Sequence, residues 1–329
     1  MTLRIGKLTL PYPCVLAPMA GVSDLPFREV TRSFGAPLAF TEMIDIKALG
    51  SRDKRTCRML STTSEDRPLG VQLLGNSKED LIRAIGVLSE YRFELLDLNA
   101  ACPTPKIARK GKGAALLQRP DKLGELLKAL VDRSHVPVTV KIRAGWDADS
   151  INAREVALFA EDAGISALFI HGRTKMQGYS GAVDYGVIRD VKDALKIPVI
   201  ASGDNLGASS IRKMFDETGC DAVAIARGAL GNPWIFKETI GLFQGRRHFV
   251  GPDLSERISV MKGHLAKVID YYGEQRGLAS FHKFFIWYTR GLSGMRPYRD
   301  RAFRTHSLEE LMAVIEDLSE LSRLSPLAR

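Results

Sequence analysis

Leu95-Leu-Asp-Leu-Asn-Ala-Ala-Cys-Pro-Thr-Pro-Lys-Ile-Ala-Arg-Lys-Gly-Lys-Gly113 opens as a short buried strand, Leu95 to Leu98. It stops at Asn99 and then presents Cys102 on a loop stiffened by Pro103 and Pro105. A thiol at a strand's end is exposed to chemistry, and an ordinary thiol titrates at about 8.5. Lys106, Arg109, Lys110 and Lys112 on the same loop favour a thiolate or bind a polyanion. Taken alone, a Cys-Pro of this kind reads more readily as a small loop residue among solvated cations, and the rest of the chain reverses that preference.

Seven further runs share the apolar, β-prone character of Leu95–Leu98: Cys14 to Ala17, Leu38 to Thr41, Leu69 to Leu74, Val138 to Ile142, Ala167 to Ile170, Pro198 to Ala201 and Ala222 to Ile225. Amphipathic stretches lie between them, such as the one opened by Ser77-Lys-Glu-Asp80 and the one from Ala153 to Ala163 that ends at Gly164. Buried runs without polar alternation suit a parallel sheet covered by helices, and eight strand–helix units close into a barrel. The expected class is therefore α/β, a (β/α)8 TIM barrel. An open doubly wound sheet would carry Gly-x-Gly-x-x-Gly after its first strand, and Ala17-Pro-Met-Ala-Gly-Val-Ser is nothing of the kind.

The strand signal vanishes near residue 245. Beyond it Ile258, Met261, Leu265, Ile269 and Tyr272 form one helical face, and Leu308, Leu311, Met312, Ile315 and Leu318 another, with Ser307 and Glu310 as a capping box. The expectation is a catalytic barrel over residues 1–245 followed by a small all-helical domain over residues 253–329. Between the two helical faces, Lys283, Arg290, Arg296, Arg299, Arg301 and Arg304 interleave with Phe284, Phe285, Trp287, Tyr288, Tyr298 and Phe303. Cations mixed with aromatics suit RNA, the former holding phosphates and the latter stacking bases. The competing reading makes the aromatics core and the arginines a solvated face.

Composition narrows the class further. Of 329 residues, 45% are hydrophobic and 26% charged, an ordinary globular balance that excludes disorder. No apolar run approaches the roughly 20 residues that cross a bilayer, and the N-terminus lacks a signal peptide's apolar core, so the expected setting is cytoplasmic. The four cysteines are scattered and form no metal-binding pair, so no metal is expected. A net charge of +9 fits a polyanionic partner.

The polar residues at the strand ends form a concentrated list. Strand one ends in Pro18-Met19-Ala20-Gly21 and strand two in Glu42. Strand three holds Gln72, strand four gives Asn99 and Cys102, and strand five Lys141 and Arg143. Strand six gives His171, Gly172 and Arg173, strand seven Ser202-Gly203-Asp204, and strand eight Ala226-Arg227-Gly228. Gln72 and Lys141 sit inside apolar runs and need partners there. The glycine-bearing turns after strands seven and eight occupy this barrel's usual phosphate site, which predicts a phosphorylated ligand or cofactor.

Six motifs, in order along the chain, resemble those of the tRNA-dihydrouridine synthases, with the bacterial B-type branch nearest. They are Ala17-Pro-Met-Ala-Gly-Val-Ser-Asp24, Val71-Gln-Leu-Leu-Gly75, Asp97-Leu-Asn-Ala-Ala-Cys-Pro103, Val140-Lys-Ile-Arg143, Ile170-His-Gly-Arg-Thr174 and Pro198-Val-Ile-Ala-Ser-Gly-Asp204. The resemblance implies a flavoenzyme that reduces uridine in tRNA to 5,6-dihydrouridine, with FMN re-reduced by NADPH. It implies FMN contacts at Pro18, Met19, Ala20, Gln72, Lys141, His171, Ser202, Gly203, Asp204, Ala226 and Arg227. It makes Cys102 the proton donor to C5 after hydride reaches C6, and it has Asn99, Arg143 and Lys106 hold the target nucleotide. It also implies a helical tRNA-binding domain and points to a monomer. Three positions depart from the family's usual pattern: Ala101 where glycine is common, Ser202 for asparagine, and Ala226 for glycine. Two other enzyme readings compete, a flavin reductase of a free small molecule and a lyase using Lys141 as a Schiff base without flavin. A pure RNA-binding module would leave the strand-end residues unexplained.

Overall fold

A computed structural model describes residues 2–246 and 248–324. Its centre is a closed parallel barrel of eight strands: β3 (Cys14–Leu16), β4 (Ala39–Asp45), β5 (Leu69–Leu74), β6 (Leu95–Asn99), β7 (Val138–Arg143), β8 (Ala167–His171), β9 (Val199–Ser202) and β10 (Ala222–Ile225). β10 pairs with both β9 and β3, which closes the circle. Eight main helices cover it, one after each strand, from Leu25–Ser33 after β3 to Ile235–Phe243 after β10.

Each expected strand is present within a few residues of its anticipated bounds, and the alternation inside it explains the fold. Leu96 and Leu98 on β6, and Val138, Val140 and Ile142 on β7, join the core between strands and helices. Leu95, Ala167, Phe169, Ile200, Ala222 and Ala224 fill the barrel's interior. The positions facing the helices and those facing the barrel interior are therefore both largely apolar, as parallel strands buried on both faces require. The inward positions turn polar towards the strand ends, where Asp97 and Asn99 pair in register with Thr139 and Lys141.

Two strands were not anticipated. β1 (Leu3–Ile5) and β2 (Leu8–Leu10) form an antiparallel hairpin whose Leu3, Ile5 and Leu10 are buried against the barrel interior. Its turn depends on Gly6, at φ +55°, where an added Cβ would lie 3.0 Å from Pro137. The hairpin thus closes the barrel at the end away from the strand C-termini.

Helices Leu254–Tyr272, Glu274–Tyr288, Arg296–Ala302 and Leu308–Leu324 follow. Asp253 caps the first by accepting from Glu256 N at 2.7 Å. The capping box before the last is present in modified form: Ser307 Oγ accepts from Glu310 N, while the Glu310 carboxylate reaches back to His306 N. This region packs on the barrel helix Leu25–Ser33, where Phe27 stacks on Phe284 at 5.7 Å, and one continuous apolar core runs through both. The aromatics between residues 281 and 304 are divided. Phe281, Phe284, Phe285 and Tyr288 are fully buried, so packing rather than base stacking accounts for them, whereas Phe303 is 51% exposed. No described helix is long and apolar enough to cross a membrane.

Candidate active site

The strand ends surround a cavity of about 1110 Å³ of empty space, counting its open side. Every residue for which the resemblance implies a catalytic, cofactor or nucleotide role lines it except Gln72 and Lys106, while Gly21, Glu42 and Gly228 at the strand ends do not. Gln72 is completely buried just beneath the wall, and Lys106 is exposed on the short helix Pro105–Ala108.

Cys102 is held from three sides. Asn99 Oδ1 accepts from the N–H groups of Ala101 (2.9 Å) and Cys102 (2.8 Å). Arg143 Nε donates to Ala101 O at 2.7 Å, and Ala114 N donates to Cys102 O at 3.1 Å. Gly113, at φ +61°, leaves room for the thiol's Cβ, which a side chain at 113 would meet at 2.9 Å. The thiol donates to Thr104 Oγ1 at 3.4 Å. Of the loop's cations, Lys112 pairs with Asp45 at 2.5 Å, while Lys106, Arg109 and Lys110 are exposed. Ala101 does not need glycine's freedom: among the described non-glycine residues only Arg52 and Asp204 have positive φ.

Asn99 and Arg143, expected to hold a nucleotide, are both engaged by the protein. Asn99 Nδ2 donates to Gln72 Oε1 at 2.8 Å, and Arg143 Nη1 donates to the carbonyls of Thr174 (2.9 Å) and Gly178 (2.8 Å). Arg143 thereby anchors the loop that carries Tyr179. That ring is 60% exposed and overhangs the cavity, with the guanidinium carbons of Arg143 and Arg227 5.5 and 5.1 Å from its centroid. Tyr179 was invisible in the sequence because a loop residue obeys no periodicity. Asp97 was also missed, although a carboxylate inside an apolar run carried the same signal as Gln72 and Lys141.

The opposite wall is cationic. Lys141 Nζ donates to Ser202 Oγ at 2.9 Å, and burial pushes its pKa down to about 8 against the pull of Asp97. Arg173 and Arg227 both pair with the Asp204 carboxylate, and the Arg173 hydrogen bond holds that carboxyl below the usual range. Burial, followed by Lys141, Arg143, Arg173 and Arg227, pushes the His171 pKa down to about 2, so its ring is neutral. Asn205 Oδ1, also on this wall, is buried without a hydrogen-bond partner. Lys141, Arg143 and Arg227 line the cavity with Asp204 as its carboxylate, and Arg173 is buried behind them, an arrangement that fits an anionic ligand with hydroxyl donors. No group of three or more described His, Cys, Asp or Glu side chains could hold a metal ion.

The dihydrouridine synthase family model matches residues 15–323. The chain is 40% identical over 298 residues to tRNA-dihydrouridine synthase B of Pseudomonas aeruginosa, covering 90% of this chain and 89% of that protein. It is 34% identical over 316 residues to a probable tRNA-dihydrouridine synthase of Rhodobacter capsulatus, covering 96% and 97%. Among solved structures, morphinone reductase in complex with tetrahydroNAD superposes with a TM-score of 0.54 at 14% identity, covering 78% of this chain and 93% of that one, a likeness of fold. The match spans the barrel, the cavity and the helices after it, and the chain belongs to the dihydrouridine synthase family.

Proposed function

We propose that this protein is a flavin-dependent tRNA-dihydrouridine synthase, in which the Cys102 thiol protonates C5 of a uracil held in the cavity. The observation that carries the reading is the placement of Cys102 and the cationic group around Lys141 on walls of one cavity. FMN, when bound, supplies a hydride to C6 and recovers its reducing equivalents from NADPH. Lys141, with one acceptor for three donors, offers positive charge to the flavin ring. Pro18, Met19, Ala20 and His171, which line the cavity, would hold that ring, with Gln72 buried behind the wall. Ser202, Gly203, Asp204, Ala226 and Arg227 would hold the ribityl chain and phosphate, and Asn205 Oδ1 is available to a hydroxyl. The C5–C6 double bond is lost as hydride enters C6 and the thiol's proton enters C5. A thiol suits this step because its ordinary pKa lies near neutrality.

The target base must leave its stack to reach the cavity, at a cost of a few kcal/mol that phosphate contacts offset. Lys106 at the rim serves such contacts, while Asn99 and Arg143 shape the wall facing the base. The test separates the two half-reactions under anaerobic conditions. Wild-type protein loaded with FMN bleaches with NADPH and recovers its flavin absorbance on addition of unmodified tRNA. Cys102→Ala bleaches at a similar rate but recovers about 10²–10⁴-fold more slowly. Recovery at the wild-type rate would overturn the role of Cys102, and protein that takes up no FMN would overturn the reading.

A further inference from the structure

Beneath the cavity wall a line of side chains crosses three strands. Thr139 Oγ1 donates to Asp97 Oδ1 at 2.7 Å, and Gln72 Nε2 donates to Asp97 Oδ2 at 2.7 Å. Asn99 Nδ2 donates to Gln72 Oε1 at 2.8 Å, and Asn99 Oδ1 receives the N–H groups of Ala101 and Cys102. The register makes this possible, because Asp97 lies opposite Gln72 on β5 and Thr139 on β7. Asp97, Gln72 and Thr139 are at most 1% exposed, so water does not complete their hydrogen bonds.

The direction of the line is fixed from both ends. A backbone N–H only donates, so the Asn99 atom facing Cys102 is oxygen and its nitrogen faces Gln72. Burial raises the Asp97 pKa to about 6, so at neutral pH its carboxylate only accepts, the Gln72 atom facing it is nitrogen and the Gln72 oxygen faces Asn99. The two amides agree only in this arrangement. Reversing either one sets two donors or two acceptors against each other in a dry interior.

We infer that Asp97 is a positioning residue for Cys102, acting through Gln72 and Asn99. Asp97 touches neither the cavity nor the thiol. It supplies the acceptor that keeps the Gln72 amide from turning over, and Gln72 in turn keeps Asn99 Oδ1 under the Cys102 N–H. Without that acceptor the loop loses one of its three ties, and the thiol, now 7% exposed, opens towards solvent. The consequence for turnover rests on the role proposed above for Cys102; the structural relay does not.

The test reads the thiol directly, in protein free of flavin and tRNA. Iodoacetamide modification of Cys102 is followed by mass spectrometry of its peptide, with Cys14 and Cys220 as buried internal references. Asp97→Ala is expected to speed modification of Cys102 at least fivefold, and Asp97→Asn, which keeps an oxygen for Gln72 and a nitrogen for the rotatable Thr139 hydroxyl, to stay within twofold of wild type. Gln72→Leu cuts the next link and is expected to match Asp97→Ala, with the double variant no faster than either single one. Gln72→Leu also keeps the test decisive should Asp97→Ala fail to fold. A folded Gln72→Leu protein modified at the wild-type rate overturns the relay. So does Asp97→Asn reacting as fast as Asp97→Ala, which would trace the effect to charge. In the flavin-loaded protein Asp97→Ala is expected to slow tRNA-dependent reoxidation at least tenfold. Faster modification with unchanged reoxidation supports the relay and overturns the proton-donor role instead.

Discussion

Lys141 Nζ, on β7, donates to Ser202 Oγ on β9 at 2.9 Å, reaching past the end of β8, and the same hydroxyl donates on to Ile170 O at 3.0 Å. The serine therefore steers the amine over the cavity and leaves its other protons facing inward. Lys141→Met keeps the stem and removes the charge. A charge-assisted hydrogen bond is worth about 1.5–3 kcal/mol, so FMN affinity, followed by quenching of flavin fluorescence, falls roughly 10–100-fold. Because burial brings the amine's pKa to about 8, wild-type affinity weakens as pH rises through that value, and the variant's does not. Equal affinities would remove Lys141 from the cofactor site.

Asp204 sits at φ +52° with its carboxylate between Arg173, which is 2% exposed, and Arg227. Alanine there would meet the left-handed backbone unfavourably and strand a buried guanidinium. Asparagine tolerates the backbone but loses the charge. Urea unfolding should find Asp204→Ala less stable by about 1–3 kcal/mol, with Asp204→Asn recovering part of that loss. The carboxyl's pKa is depressed, so its stabilisation is present above the ordinary aspartate value and disappears as pH falls through the folded value. Asp204→Asn should blunt that acid sensitivity.

His264 lies fully buried among Phe27, Phe281, Phe284 and Tyr288, with Nδ1 3.2 Å from the Tyr288 hydroxyl and Nε2 unpartnered. Burial pushes its pKa down to about 3, so the folded protein keeps the ring neutral. The unfolded chain takes up that proton below about pH 6.5. Stability from this group is complete above that pH and declines by about 1.4 kcal/mol per unit as pH falls towards 3. Chemical unfolding at pH 7 and pH 5 should differ by about 2 kcal/mol more in wild type than in His264→Phe. Identical differences would show that the ring already titrates freely.

Arg290, Arg296 and Arg304 are exposed, whereas Arg299 donates to Thr289 and Arg301 pairs with Asp317 at 2.6 Å. If tRNA lies across this surface, replacing the three free arginines by alanine lowers the slope of log affinity against log salt by about 2. Arg299→Ala lowers it by much less, because that guanidinium is already occupied. An unchanged slope in the triple variant places the tRNA elsewhere.

The barrel was readable in the sequence because outward positions such as Val138, Val140 and Ile142 are aliphatic on every strand, a pattern set by local geometry alone. The cavity's polar residues were readable for a related reason: Lys141 interrupts one of those runs and Asn99 ends another. What escaped notice depends on distant parts of the chain meeting. Leu3-Arg-Ile5 and Leu8-Thr-Leu10 alternate around Gly6, yet only the finished barrel offers them an interior to fill. Phe281, Phe284 and Phe285 look like stacking platforms until Phe27 covers them. The engagement of Arg143 with Thr174 and Gly178 follows from a loop whose path no spacing announces.

Phe40, Leu95 and Phe169 fill the barrel behind the cavity and the hairpin of β1 and β2 covers their far end, so the cavity is reached from the side of the strand C-termini. Whatever delivers electrons and whatever receives them must come and go by the same side, in turn. Traffic of that kind leaves a kinetic signature: when nicotinamide and tRNA concentrations are varied against each other, the double-reciprocal lines run parallel rather than converging.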